Sequence, residues 1–181
     1  MSLLQVKNLV VEFPGRHGNL RALDDISFDI APGEILGIVG ESGAGKSLTS
    51  AAIIGLLEPP GRISGGQVLL EGERIDHLNE MQMRRIRGRR IGAIFQDPLT
   101  SLNPLYTVGR QLIETIQTHL PVTAEEARLR AISLLQETGI AAAEQRLGHY
   151  PHQFSGGMRQ RVVIALALAG EPKLIVADET T

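Results

Sequence analysis

Apolar and polar residues alternate along residues 3–13 and again along 22–30, with many β-branched side chains, and a period of two predicts strands. Between them Pro14-Gly15-Arg16-His17-Gly18-Asn19 is made of turn formers, and Ala31-Pro32-Gly33 marks another turn. The apolar run at 35–39 predicts a strand that leads into a glycine-rich loop, followed by a helix over 46–57. Glu58-Pro59-Pro60-Gly61 stops that helix. Residues 67–71 and 91–95 read as further strands.

From 97 to 157 the period becomes helical. Residues 108–119 predict one helix. Residues 123–138 predict another, with Thr123 and Glu126 spaced as a capping box and Gly139 as the stop. A third helix is expected from Ser155 to about Ala169, and a short buried strand over 174–177. Strands alternating with helices, with a helical block inserted between them, predict an α/β core carrying a helical subdomain.

Composition narrows the function classes. The chain has 181 residues, enough for one domain with a smaller subdomain. Lys and Arg number 18 against 20 Asp and Glu, a net charge of −2, so charge gives no global reason to expect nucleic acid or an anionic membrane surface. There is no cysteine, which excludes disulfides, thiolate metal sites and thiol nucleophiles. The longest apolar run, over 162–169, is far short of the ~20 residues a membrane helix needs. No secretory signal is visible, so the chain is expected on the cytoplasmic side, with other subunits bringing it to a membrane.

The strongest chemical signal is Gly40-Glu41-Ser42-Gly43-Ala44-Gly45-Lys46-Ser47, followed by Leu48. It satisfies G-x-x-x-x-G-K-[ST] between an expected strand and an expected helix. Glycines let successive N–H groups turn toward phosphate oxygens, and the helix dipole adds positive potential. Lys46 can reach the β- and γ-phosphates, and the Ser47 hydroxyl is a ligand for Mg²⁺. A second element, the apolar run 174–177 ending in Asp178-Glu179, offers Asp178 for Mg²⁺ and Glu179 as general base toward an in-line water. The third, Phe154-Ser155-Gly156-Gly157-Met158-Arg159-Gln160-Arg161, is either a plain helix cap or a second anion-binding helix start.

In this order the motifs resemble those of ATP-binding cassette (ABC) proteins, with Ser155, Gly156, Gly157 and Met158 in the place of the signature and Gln96 in the place of the glutamine loop. The likeness spans nearly the whole chain. The segments 95–112 and 150–161 are similar to those of the dipeptide/oligopeptide importer ATPases, whose relatives carry nickel or glutathione, and Met158 fits that subgroup. Phe13 stands where the family sets an aromatic ring against adenine; on the residues alone it also reads as a strand residue packed in a core.

The resemblance implies an ABC-type P-loop NTPase fold: an antiparallel β subdomain and phosphate-loop core (1–96), an inserted helical subdomain (97–157), and a return to the core at the acidic strand (158–181). It implies an ATPase using ATP and Mg²⁺, with Glu179 catalytic and Ser47, Gln96 and Asp178 around the metal. The implied partners are a second ABC ATPase subunit, identical or a paralogue, transmembrane permease subunits and, indirectly, a solute-binding protein. Two cassettes would pair head to tail, each signature closing the other's ATP. Where the family continues Asp-Glu with Pro-Thr, this sequence reads Glu179-Thr180-Thr181, and a C-terminally truncated member with weak turnover alone is the expectation.

Other readings differ in class. One is a soluble ABC ATPase acting on nucleic acid or ribosomes, against which stand the charge and the transporter-like 95–112 segment. Another is a nucleotide-binding regulatory module without turnover, against which Glu179 stands. Arg84, Arg85, Arg87, Arg89 and Arg90 lack interleaved aromatics and read as a solvated helix end. Asp24 and Asp25, adjacent on a strand, are expected on opposite faces.

Overall fold

The computed structural model describes residues 2–16, 18–95 and 101–178. It divides into two compact units, Met1–Arg85 and Ile86–Thr181.

The first unit is built on a four-stranded antiparallel sheet in the order β2-β1-β3-β4. Its strands are β1 (Leu4–Gly15), β2 (Gly18–Ile30), β3 (Arg62–Leu70) and β4 (Glu73–Arg74). Leu4 and Val6 turn inward as alternation predicts, and so do Leu9 and Val11, one residue out of phase. Asn8 absorbs the extra residue: its φ is 48°, and the register shifts between Val6 and Leu9 on the β2 side and between Lys7 and Val10 on the β3 side. This is a β-bulge, which re-aims the side chains that follow it. Its neighbours are fitted to it. The Asn8 side-chain amide donates to Asp25, whose φ is 56°, and a methyl group on Gly66 would lie 2.3 Å from the Asn8 carbonyl oxygen. The same irregularity overturns simple alternation at Asp24 and Asp25: both are exposed, and Asp24 pairs with Arg21 at 3.0 Å.

Several predicted elements differ, and β2 starts at Gly18, four residues before the expected 22. The helix after the glycine loop, α1 (Lys46–Ile53), is shorter than 46–57, because Gly55 turns to φ 67°. β3 begins at Arg62, since Ser64-Gly65-Gly66, poor strand formers alone, lie along β1. The run 35–39 forms no ladder with any described residue, and Ile35 and Val39 are 97% and 94% exposed. Apolar sequence alone does not make a strand, which also needs a neighbour to take its N–H and C=O groups. The helix whose solvated end the arginines suggested is α2 (Glu80–Ile86), and it starts with Asn79 and Gln82 exchanging backbone N–H to side-chain bonds of 3.0 Å.

The second unit holds the parallel pair β5 (Ile91–Ile94) and β6 (Leu174–Ala177), in register from Ile91↔Leu174 to Ile94↔Ala177. Around it are α3 (Val108–His119), α4 (Ala124–Glu137), the short α5 (Ala143–Arg146), a 3₁₀ turn (Pro151–Gln153) and α6 (Gly156–Leu168). Leu112 and Ile116 of α3, Ala131 and Leu135 of α4, and Val162 and Ala165 of α6 bury one continuous apolar core. The close approach of β5 to α6 needs the bare Gly92, where a methyl group would lie 2.4 Å from the Ala167 carbonyl oxygen. β6 is only partly buried, with Leu174 inside and Ala177 exposed. The capping box is formed: Glu126 N–H donates to Thr123 Oγ1 at 3.2 Å and Thr123 N–H to Glu126 Oε2 at 2.7 Å.

Candidate functional site

In the first unit the loop from Gly40 to Gly45 runs into α1. Ala44 N–H donates to the Glu41 carbonyl at 3.1 Å, closing a tight turn through Ser42 and Gly43, where φ is 83°. Gly45, at the helix start, has φ 89°, and no side chain caps the helix. Two constraints keep this position glycine. The left-handed backbone disfavours a Cβ, and a methyl group would lie 2.5 Å from Cδ2 of Leu23, a buried residue of β2. Thr49 fixes the first turn from behind: its N–H and hydroxyl both donate to the Gly45 carbonyl, at 2.8 and 2.9 Å.

The Lys46 ammonium lies back across the loop and donates to the carbonyls of Gly40 at 2.8 Å and Glu41 at 2.9 Å. Both partners are neutral, and no described carboxylate lies within ion-pair distance of Lys46. A cation held by two loop carbonyls at an uncapped helix N-terminus is a place for a polyanion. Glu41, Ser42 and Ser47 are exposed, and Leu48 is half-buried. Phe13, on β1, is half-buried and pairs with Leu20 across the hairpin.

In the second unit Asp178 follows β6, its N–H donating to the Ile94 carbonyl at 2.9 Å, so its place is set by the parallel pair. Gln96 and Glu179 lie outside the described residues. Ser155 caps α6, its Oγ accepting from Met158 N–H at 3.4 Å. Ser155, Gly156 and Gly157 are exposed, and apart from its own helix the described chain places nothing within 4 Å of a methyl group built on either glycine. Met158 turns the other way and packs against the helical core, which gives the apolar side chain a local reason. Buried Phe154 anchors the segment, and its carbonyl accepts from Arg159 Nε at 3.1 Å.

The arginine cluster is partly structural: Arg84 and Arg85 sit in the last turn of α2, and Arg89 donates to the Gly170 carbonyl at 3.0 Å. Sequence reasoning missed Leu23 and Thr49, which hold the loop from outside the motif. Thr49 carried a weak signal, a hydroxyl one turn beyond Gly45. Among the described residues no helix is long and apolar enough to cross a membrane.

Comparison with known proteins agrees with this geometry. The family model described as ABC transporter matches residues 23–181. The chain is 49% identical to the oligopeptide transport ATP-binding protein OppD of Bacillus subtilis, over 99% of this chain and 50% of that protein. It is 48% identical to the dipeptide transport ATP-binding protein DppD of Escherichia coli, over 100% of this chain and 55% of that one. It thus spans about half the length of the curated relatives it matches. The dimeric ATP-binding cassette MJ0796 with ADP and phosphate bound superposes with a TM-score of 0.85 at 30% identity, over 98% of this chain and 74% of that one. CbiO1 from Clostridium perfringens does so with a TM-score of 0.78 at 30% identity, over 98% and 65%. The phosphate-type loop, the capped glycine helix start and the acidic strand end therefore have one setting in common: the chain belongs to the ABC transporter family and has its ATP-binding cassette fold.

Proposed function

We propose that this chain is the ATP-binding and ATP-hydrolysing part of a membrane importer for peptides or a related small solute. The observation that carries the reading is the loop Gly40–Ser47, with Lys46 held by two carbonyls over an uncapped helix start. Phosphate oxygens offer that ammonium a charged partner in exchange for two neutral ones. The names of the similar OppD and DppD proteins support the peptide assignment.

In the proposed reaction the backbone of the loop Gly40–Ser47 and the Lys46 ammonium hold the β- and γ-phosphates. Glu179 takes a proton from a water in line with the γ-phosphorus. The water oxygen bonds to phosphorus as the bond to the β–γ bridging oxygen breaks, leaving ADP and phosphate. The Ser47 hydroxyl and Asp178 carboxylate are hard oxygen donors of the kind Mg²⁺ takes, with Gln96 as a further one; when bound, the ion screens the phosphate charge. Phe13 lies against the adenine. Gln96 acts as hinge and γ-phosphate sensor between the core segments (1–96 and 158–181) and the helical segment (97–157).

Ser155, Gly156 and Gly157, at the helix start that Met158 anchors to the core, serve the ATP of a second cassette, identical or a paralogue. Two exposed glycines with room for a side chain, at a helix start the chain already caps, support a close approach by something outside the chain. ATP draws the two cassettes together, and product release parts them. The pair works at the cytoplasmic face of the membrane on permease subunits, which a solute-binding protein supplies. ATP turnover by the protein assembled with these partners tests the reading. Glu179→Gln should retain ATP and release no phosphate; undiminished phosphate release would remove Glu179 from the base role, and no turnover in the unaltered assembly would remove the ATPase.

A further inference from the structure

Beside Phe13, the proposed adenine contact, the chain leaves out a side chain. Gly61 ends the turn that follows α1, its N–H donating to the Glu58 carbonyl at 2.9 Å, and β3 starts at the next residue. Arg62 pairs with Glu12, which places Gly61 beside Phe13. A methyl group on Gly61 would lie 2.7 Å from Cε1 and 2.8 Å from Cζ of Phe13, and 2.9 Å from the Glu58 carbonyl oxygen. All three are below van der Waals contact, so ring, turn or both must give way. Gly61 is outside the left-handed region, so the backbone itself does not demand glycine there. The approach of the ring and of the Glu58 carbonyl does.

We infer that Gly61 is a positioning residue for nucleotide-base recognition: its missing side chain lets the Phe13 ring rest on the 58–61 turn at the tilt that receives a purine. The inference rests on the reading of Phe13 as the adenine contact. The three atoms nearest a methyl group on Gly61 belong to Phe13 and Glu58, and none to the phosphate loop. Any larger residue at 61 should tilt or lift the ring and weaken ATP while leaving the capture of phosphates intact.

The test is a double-mutant cycle of Gly61→Ala and Phe13→Ala, with the affinities of ATP and inorganic tripolyphosphate measured as magnesium salts. Loss of one aromatic stack should weaken ATP about tenfold in Phe13→Ala and leave tripolyphosphate unchanged. Gly61→Ala should weaken ATP several-fold, spare tripolyphosphate, and have no further effect in the Phe13→Ala background. Equal loss for both ligands, an unchanged ATP affinity, or the same loss in both backgrounds would overturn the inference. An unaltered ATP affinity in Phe13→Ala would instead bring down the adenine reading, and this inference with it. Ring-labelled phenylalanine NMR reads the placement without ligand: of the four Phe side chains, Phe13 alone should shift in Gly61→Ala. A stationary Phe13 signal also contradicts the inference.

Discussion

Two of the described helices begin on glycine, α1 after Gly45 and α6 at Gly156, and the chain treats them in opposite ways. At α1 the glycine is demanded from within, by its left-handed backbone and by Leu23 pressed against it. The helix start is left uncapped, with a lysine drawn over it. At α6 a serine caps the helix, and the two glycines meet nothing that requires them. The other long helices, α3 and α4, begin on Thr107 and Thr123 and are closed by their own side chains. A glycine that folding explains says little about function. One that folding leaves unexplained, exposed at a helix start, points to a ligand or partner outside the chain, and the proposed trans-acting signature supplies one.

The comparison breaks most sharply at Gly45. Gly45→Ala should lower the unfolding free energy by about 2–4 kcal/mol, combining a left-handed Cβ with overpacking against Leu23. Chemical denaturation measures this, and a loss below about 1 kcal/mol would deny the inner demand. Gly157→Ala should behave in reverse. Removing a glycine from a first helical turn leaves stability unchanged or raises it by up to about 1 kcal/mol. In the assembled transporter, turnover should still fall on the order of 10–100-fold, because a misplaced approach to the γ-phosphate spoils the reacting geometry. Stability and turnover falling together would make α6 another structural glycine start.

The smallest effect sets a control at α4. The Thr123 N–H, then its hydroxyl, hold the Glu126 carboxyl below its usual range. A lowered carboxyl pKa contributes stability above the ordinary glutamate value, and the contribution disappears as pH falls through the folded value. Thermal melts of Glu126→Gln should therefore lie slightly below the unaltered chain at neutral pH and merge with it in acid, with nucleotide affinity unaffected. A gap that widens in acid would reverse the sign and the explanation.

What the sequence revealed follows how local each cause is. The capping box, the start of α6 and the loop into α1 depend on residues within a few positions of each other, and each formed where the spacing put it. The bulge at Asn8 was hidden because its cause is distributed over Asp25 and Gly66, on the two strands flanking β1. The run 35–39 looks like a buried strand, yet no described neighbour completes it. At the site, Lys46 and Ser155 were legible as motif members, whereas the supports Leu23 and Thr49 were not, since nothing in the motif states what packs behind it. The space beside Gly156 and Gly157 is an absence, which no residue pattern displays.

The most direct test is calorimetric titration of Mg-ATP into the dilute, monomeric chain, comparing the unaltered protein, Lys46→Ala and Ser155→Ala. The account predicts that Lys46→Ala weakens binding about a hundredfold, through loss of a charged phosphate contact, while Ser155→Ala leaves the affinity unchanged. Equal weakening by both would place the two helix starts around one nucleotide within a single chain. An unchanged Lys46→Ala would remove the nucleotide from the loop.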